Sequence, residues 1–207
     1  MNKKILGIII VILAILIAGA YQFAYVPYQQ EQNNIAYSTG LQNASAMEKE
    51  INNSISEFNN INSSNFTAFT DAFNKKYQNE ISPEIDQEIA KLNETLQYTN
   101  GNKTKEDYIN YQIERIQLEK EGTDVINSKM NELKVAVEKN DYNQMLSIAK
   151  NMDNEINNVT AKIKPIKENI INLLNNNPSF NESVHNLTLF PEFYGDINIT
   201  NVNILNK

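Results

Sequence analysis

The sequence predicts an all-α protein: an N-terminal transmembrane helix, then an antiparallel up-down bundle of about four long helices, then a short β-like C-terminal tail. Three observations carry this reading. Residues 5–26 are apolar except for Gln22. Four later stretches of nearly equal length place apolar residues every three or four positions, the period of a half-buried helix. The connectors between them are one to five residues long, which forces neighbouring helices to run antiparallel.

The leader comes first. Twenty-two helical residues reach about 33 Å, enough to cross a hydrocarbon core of roughly 30 Å. Ile5, Leu6, Ile10, Leu13 and Leu16 represent its lipid-facing bulk, and Tyr21 and Tyr25 begin an aromatic cluster at its far end. Lys3 and Lys4 precede it and the next basic residue is Lys49, so residues 1–4 are expected in the cytoplasm and the rest of the chain outside. The competing reading is a signal peptide cleaved after Ala20, where Ala18-Gly19-Ala20 fits the small-x-small pattern. Both readings export the same domain, with the lipid bilayer as a partner of residues 5–26 in the first.

The four helical stretches are expected at 30–61, 64–98, 104–139 and 141–176, filling a domain of residues 27–177. In the first, Leu41, Ala44, Met47 or Glu48, Ile51, Ile55 and Phe58 form one stripe. Ser63 or Ser64 is a candidate cap for the second, which opens on the aromatic stripe Phe66, Phe69, Phe73 and Tyr77, read as core. Ser82-Pro83-Glu84 reads as a restart within it. Thr99-Asn100-Gly101-Asn102 stops it, and Thr104 with Asp107 resembles a capping box for the third. Lys139-Asn140-Asp141-Tyr142 is a tight turn with Asp141 capping the fourth. That last helix has the most regular seam: Met145, Ala149, Met152, Ile156, Val159, Ile163, Ile166, Ile170 and Leu173, as in a coiled coil. Such a seam is able to pair between chains as well as within one, so a homo-oligomer is a possible assembly. Residues 178–207 form the tail, in which Ile197, Ile199, Val202 and Ile204 alternate with polar residues as in a strand.

Pro83, Gly122 and Pro165 interrupt three of the helices within about 11 Å of one height in an up-down bundle. They define a candidate waist pocket; independent punctuation with the gap repacked or filled by water is the alternative.

Composition excludes several functions. The formal net charge is −7 with a single arginine, Arg115, so no nucleic-acid footprint exists. Without cysteine and with His185 as the one histidine, no zinc or disulfide framework is available. Glu84, Asp86 and Glu88 lack the central glycine of a calcium loop and read as a solvated face near a helix start. No phosphate loop or nucleophile motif is present, so neither catalysis nor a cofactor is expected.

Asparagine supplies the remaining signal. Acceptor motifs for N-glycosylation begin at Asn43, Asn52, Asn62, Asn65, Asn93, Asn102, Asn158, Asn181, Asn186 and Asn198. Composition alone yields about 3.5 such motifs, roughly a third of those present. Glycosylation is one reading of the excess, and clustering of small polar residues on solvated helix faces is the alternative. The expected function is therefore a membrane-anchored, extracytoplasmic, N-glycosylated bundle with a structural or interaction role toward an unknown protein of the cell envelope. The alternative is a ligand-binding or sensory module that signals through a partner membrane protein.

Overall fold

The computed structural model describes residues 21–60 and 65–187. Every regular element among them is helical. Helix α1 (Val26–Ser56) follows a π-helical turn at Tyr21–Tyr25 and ends in a 3-10 turn at Glu57–Asn60. Helices α2 (Phe66–Lys76) and α3 (Ser82–Leu96) are joined end to end by a second π-helical turn, Tyr77–Ile81. Helices α4 (Lys103–Glu138), α5 (Tyr142–Asn176) and the short α6 (Pro178–Val184) complete the chain.

The result is the expected helical bundle. Helix α1 packs on α3, α2 and α3 on α4, and α4 on α5. Polar pairs on the surface record the antiparallel register. Lys134 reaches Asp71 at 2.6 Å and Tyr77 donates to Asp124 at 2.5 Å. Lys162 meets Glu121 at 2.8 Å, while between α1 and α4, which run parallel, Lys105 donates to Asn34 at 2.6 Å. The core follows the stripes read from sequence. In α1 it takes Tyr37, Leu41, Ala44, Glu48, Ile51 and Ile55, with Phe58 beyond. Phe58, Phe69, Phe73 and Tyr77 stack in series, at 4.4 Å between the Phe58 and Phe73 ring centres.

Both prolines that follow a widened turn have one physical explanation. Proline lacks an N–H and its ring collides with the carbonyl four residues back. One extra residue in the preceding turn moves that carbonyl away, and the helix continues without breaking. This arrangement precedes both Pro27 and Pro83. Ser82-Pro83 is thus not a restart but the exit from a π turn: the Ser82 N–H bonds to the Tyr77 carbonyl, five residues back. Helix α5 runs on through Pro165 without any such turn.

Other expectations change in detail. The caps of α2 and α4 are Asn65 and Asn102, not the serines or Thr104. Their side chains accept from the N–H of Ala68 at 2.9 Å and of Lys105 at 3.1 Å. Asp141 does cap α5, accepting from Gln144 N–H at 3.0 Å. The tail was expected to be strand-like from 178, yet Pro178–Val184 is the helix α6. Pro178 suits a first helical turn, and Phe180 and Val184, four apart, fall on one face. Phe180 meets the Tyr108 ring edge-on at 5.2 Å and Val184 is buried, so α6 closes the end of the bundle at which the chain enters it. The alternating residues from Ile197 to Ile204 lie outside the described residues.

Of the expected anchor, Ile5, Leu6, Ile10, Leu13 and Leu16 lie outside the described residues, while Tyr21 and Tyr25 stack at 5.3 Å in the first described turn. Among the described residues no helix is long and apolar enough to cross a membrane.

Candidate functional site: a buried ionic cluster and an open apolar groove

Halfway along the bundle the apolar stripes give way to charge. Glu48 on α1, Glu88 on α3, and Gln112, Arg115 and Glu119 on α4 occupy interior positions and are all essentially sealed from solvent. Each keeps the spacing of its stripe: Ala44, Glu48, Ile51 on α1; Ile85, Glu88, Leu92 on α3; Tyr108, Gln112, Arg115, Glu119, Thr123 on α4. The helices therefore have no choice but to bring these groups together.

Arg115 is the hub. Its Nη2 lies 2.7 Å from Glu48 Oε1 and its Nη1 lies 2.6 Å from Glu119 Oε2. Its Nε donates to Gln112 Oε1 at 2.9 Å. A guanidinium has a planar fork of donors, which suits it to bridge three acceptors from two helices. Glu88 lies beyond this fork, against Glu48, close enough for the two carboxyls to share a hydrogen bond.

Burial and the neighbouring Glu48 push the Glu88 carboxyl up to about 9, against a weaker pull from Arg115. Burial pushes Glu119 up to about 7, although Arg115 opposes it. Glu48 is also raised, by burial first, with Arg115 and Lys167 pulling it down. Burial lowers Arg115, but Glu119 and Glu48 outweigh that and hold it charged. The cause throughout is the cost of an ion without water, offset only where a counter-ion touches it. Among the described residues no such group of carboxylates is arranged to hold a metal ion; here the guanidinium stands among them.

Sequence reasoning placed Glu88 on a solvated face, and the structure corrects this: Glu88 is fully buried. It lies three residues after Ile85 and four before Leu92, and that spacing was the available signal.

The cluster lies close to the level expected for a waist. Pairing of Asp86 with Lys120 and of Glu121 with Lys162 puts Pro83, Gly122 and Pro165 within a few residues of one height. Gly122 is buried, whereas Pro83 and Pro165 are exposed. Pro83 borders a shallow hollow of about 280 Å³ with Met47, Glu50, Asn79, Glu84 and Gln87, and neither Gly122 nor Pro165 reaches it.

The second feature lies at the opposite end of the bundle from α6. The α5 seam is buried at Val159, Ile163, Ile166 and Ile170, but Met145 and Met152 are only half-buried and Ala149 is exposed. There the seam opens as a groove of about 360 Å³ between α5, α4 and the first residue of α2. Met130, Leu133 and Val137 form its α4 wall, and Phe66 closes one side. Tyr142 and Leu146 stand on the α5 rim at 61% and 73% exposure, a large apolar area to leave in water.

The candidate glycosylation positions divide by exposure. Asn43, Asn65, Asn93, Asn102, Asn158 and Asn186 are exposed, and Asn52 and Asn181 are half-buried. Asn62 and Asn198 lie outside the described residues. Among the described residues, the Asn93 motif is set apart because its Thr95 hydroxyl is buried and donates to the Lys91 carbonyl at 2.7 Å.

These features define a class: an up-down helical bundle with an ionic core layer and one unsealed apolar seam. No family model matches the chain, and no curated protein or solved structure matches it.

Proposed function

We propose that this chain is a membrane-tethered interaction module, held by its leader and offering the open half of α5 outside the membrane to an amphipathic helix of another envelope protein. The groove carries this reading. From Val159 to Ile170 the seam is closed by the chain's own helices, whereas from Met145 to Met152 only Ile148 is buried. Met145 and Met152 are half-buried, and Ala149 and the rim residues Tyr142 and Leu146 are open to solvent. A surface with helical period along a bundle groove is complementary to a helix. Three of the chain's five methionines, Met130, Met145 and Met152, line it, and flexible thioethers adapt well to a docking side chain.

The start of α1 supports the tether. Tyr21, Phe23, Tyr25 and Tyr28 are between 51% and 84% exposed. Four rings around one helical segment are costly in water and favoured in a headgroup layer. They directly follow the apolar leader, and α1 is continuous with them. The exposed asparagine motifs fit a body displayed outside the cell membrane.

The test is site-specific photo-crosslinking of the full chain in native membranes. A crosslinker at Leu146 is expected to give an adduct with an amphipathic helix of a second protein, and one at the exposed Glu168 is not. Adding Tyr142→Glu should abolish the adduct without changing the melting temperature. Equal labelling from both positions would refute the reading, and adducts only between copies of this chain would replace the partner with a homo-oligomer.

A further inference from the structure

The ionic cluster is not used by the docking groove, and its charges do not balance. Three carboxyls, from Glu48, Glu88 and Glu119, face one guanidinium, Arg115. Among the described residues, Lys167 on α5 is a second positive charge that acts on Glu48 and Glu119 and pulls both down. From α4 the neutral groups Gln112 and Tyr108 complete the surroundings, Tyr108 being held in its phenol form by burial. Ionised throughout, the group carries three negative charges against two positive ones. One proton removes the excess, and the position for it is the contact between Glu48 and Glu88. Neither Glu88 oxygen has a donor elsewhere among the described residues, and two touching carboxyls in a dry site do not both ionise.

We propose that Glu48, Glu88, Arg115 and Glu119 form a proton-operated clasp: the closed bundle holds one proton between Glu48 and Glu88, and its loss loosens α1 from α3 and α4. The three helices meet at this layer, and α1 is the helix that leads back to the apolar leader. A change in the packing of α1 is thus transmitted along a continuous helix toward the membrane-facing end.

The sign follows from linkage. The Glu88 carboxyl is held near 9 in the folded chain and returns to the ordinary carboxylate range on unfolding. Its contribution to stability is complete in acid, declines above the ordinary carboxylate range, and is lost as pH rises through about 9. Glu119 adds a second linked proton whose effect is lost by about pH 7. Above pH 7 the remaining dependence belongs mainly to the Glu48–Glu88 pair.

The experiment is equilibrium unfolding of the full chain in detergent between pH 5 and 10. Wild type is compared with Glu88→Gln and with the exposed control Glu168→Gln. Glutamine at 88 keeps the shape, donates to Glu48 and never ionises. The unfolding constant of wild type and of the control should rise, relative to Glu88→Gln, by up to tenfold per pH unit between about 7 and 9. Parallel profiles for all three would overturn the proposal. Carbon-detected NMR of the wild-type glutamate carboxyls gives a reading independent of any variant's folding. One carboxyl titrating well above the others supports the clasp, and all of them titrating together below pH 6 sinks it.

Discussion

Gly40 on α1 and Thr95 on α3 touch so closely that a β-carbon at residue 40 would stand 2.1 Å from Thr95 Oγ1 and 2.8 Å from its Cγ2. Thr95 has little room to yield, because it is buried and its hydroxyl is committed to the Lys91 carbonyl at 2.7 Å. Gly40 is needed for this close approach, and the same approach draws Glu48, eight residues further on, toward Glu88.

Gly40→Ala is accordingly expected to destabilise the bundle by about 1–3 kcal/mol, the usual range for overpacking a filled interface. The gain in helix propensity from replacing glycine offsets at most about 1 kcal/mol of this. Thr95→Ala in the same chain should recover part of the loss. Urea denaturation of the two single variants and the double variant measures the coupling, and strict additivity would show that the contact is not what limits residue 40.

Arg115 gives the second prediction. Arg115→Met leaves Glu48 and Glu119 buried without the cation between them, and breaking a buried pair in this way costs about 3–5 kcal/mol. Lysine is expected to rescue little of it. An ammonium is a point charge and does not reproduce the planar fork that spans Glu48, Glu119 and Gln112. Denaturation at pH 7 should rank wild type well above both variants. The triple variant Glu48→Leu, Arg115→Met, Glu119→Leu should recover much of the stability lost in Arg115→Met, since removing all the charges also removes their desolvation cost.

The contrast between what sequence revealed and what it hid follows from range. The stripe Leu41, Ala44, Ile51, Ile55 and the turns at Asn100-Gly101 and Asp141 are local signals, and each lies where expected. Asn100 and Gly101 adopt positive φ (55° and 69°), as a stop between two rods requires. The cluster was hidden because a glutamate on a buried stripe looks the same in sequence as one on a flank. What buries Glu88 is Glu48, forty residues earlier, and Arg115, on a third helix. Periodicity shows that position 88 faces inward only once the phase of α3 is fixed, and the π turn at Tyr77–Ile81 shifts that phase by one residue. Helix α6 was missed because seven residues are too few to show a period.

The caps provide the third prediction. Asn65→Ala and Asn102→Ala each remove the acceptor for a backbone N–H at a helix start, for a loss of about 1 kcal/mol apiece. Aspartate at either position should restore it, since the carboxylate accepts the same bond and favours the positive helix end. A glycan attached at Nδ2 of either residue leaves Oδ1 free to cap. Occupancy at these two positions should therefore leave the melting temperature unchanged, which differential scanning calorimetry before and after enzymatic deglycosylation checks.

The α5 seam supplies the fourth. Ile163 and Ala149 lie two heptads apart on one stripe, yet Ile163 is 5% exposed and Ala149 is open to solvent. Ile163→Ala should cost about 2–4 kcal/mol, because it leaves a cavity among packed helices. Leu146→Ser, on the rim of the groove, should change stability by no more than about 0.5 kcal/mol, since the side chain it removes is already mostly wet. The two effects are compared by chemical denaturation of the isolated chain. A large loss from Leu146→Ser would mean that the groove is sealed by the chain itself, and the surface offered to a partner helix would not exist. A negligible loss, together with loss of crosslinking from that face in membranes, ties the open half of the seam to recognition and not to folding.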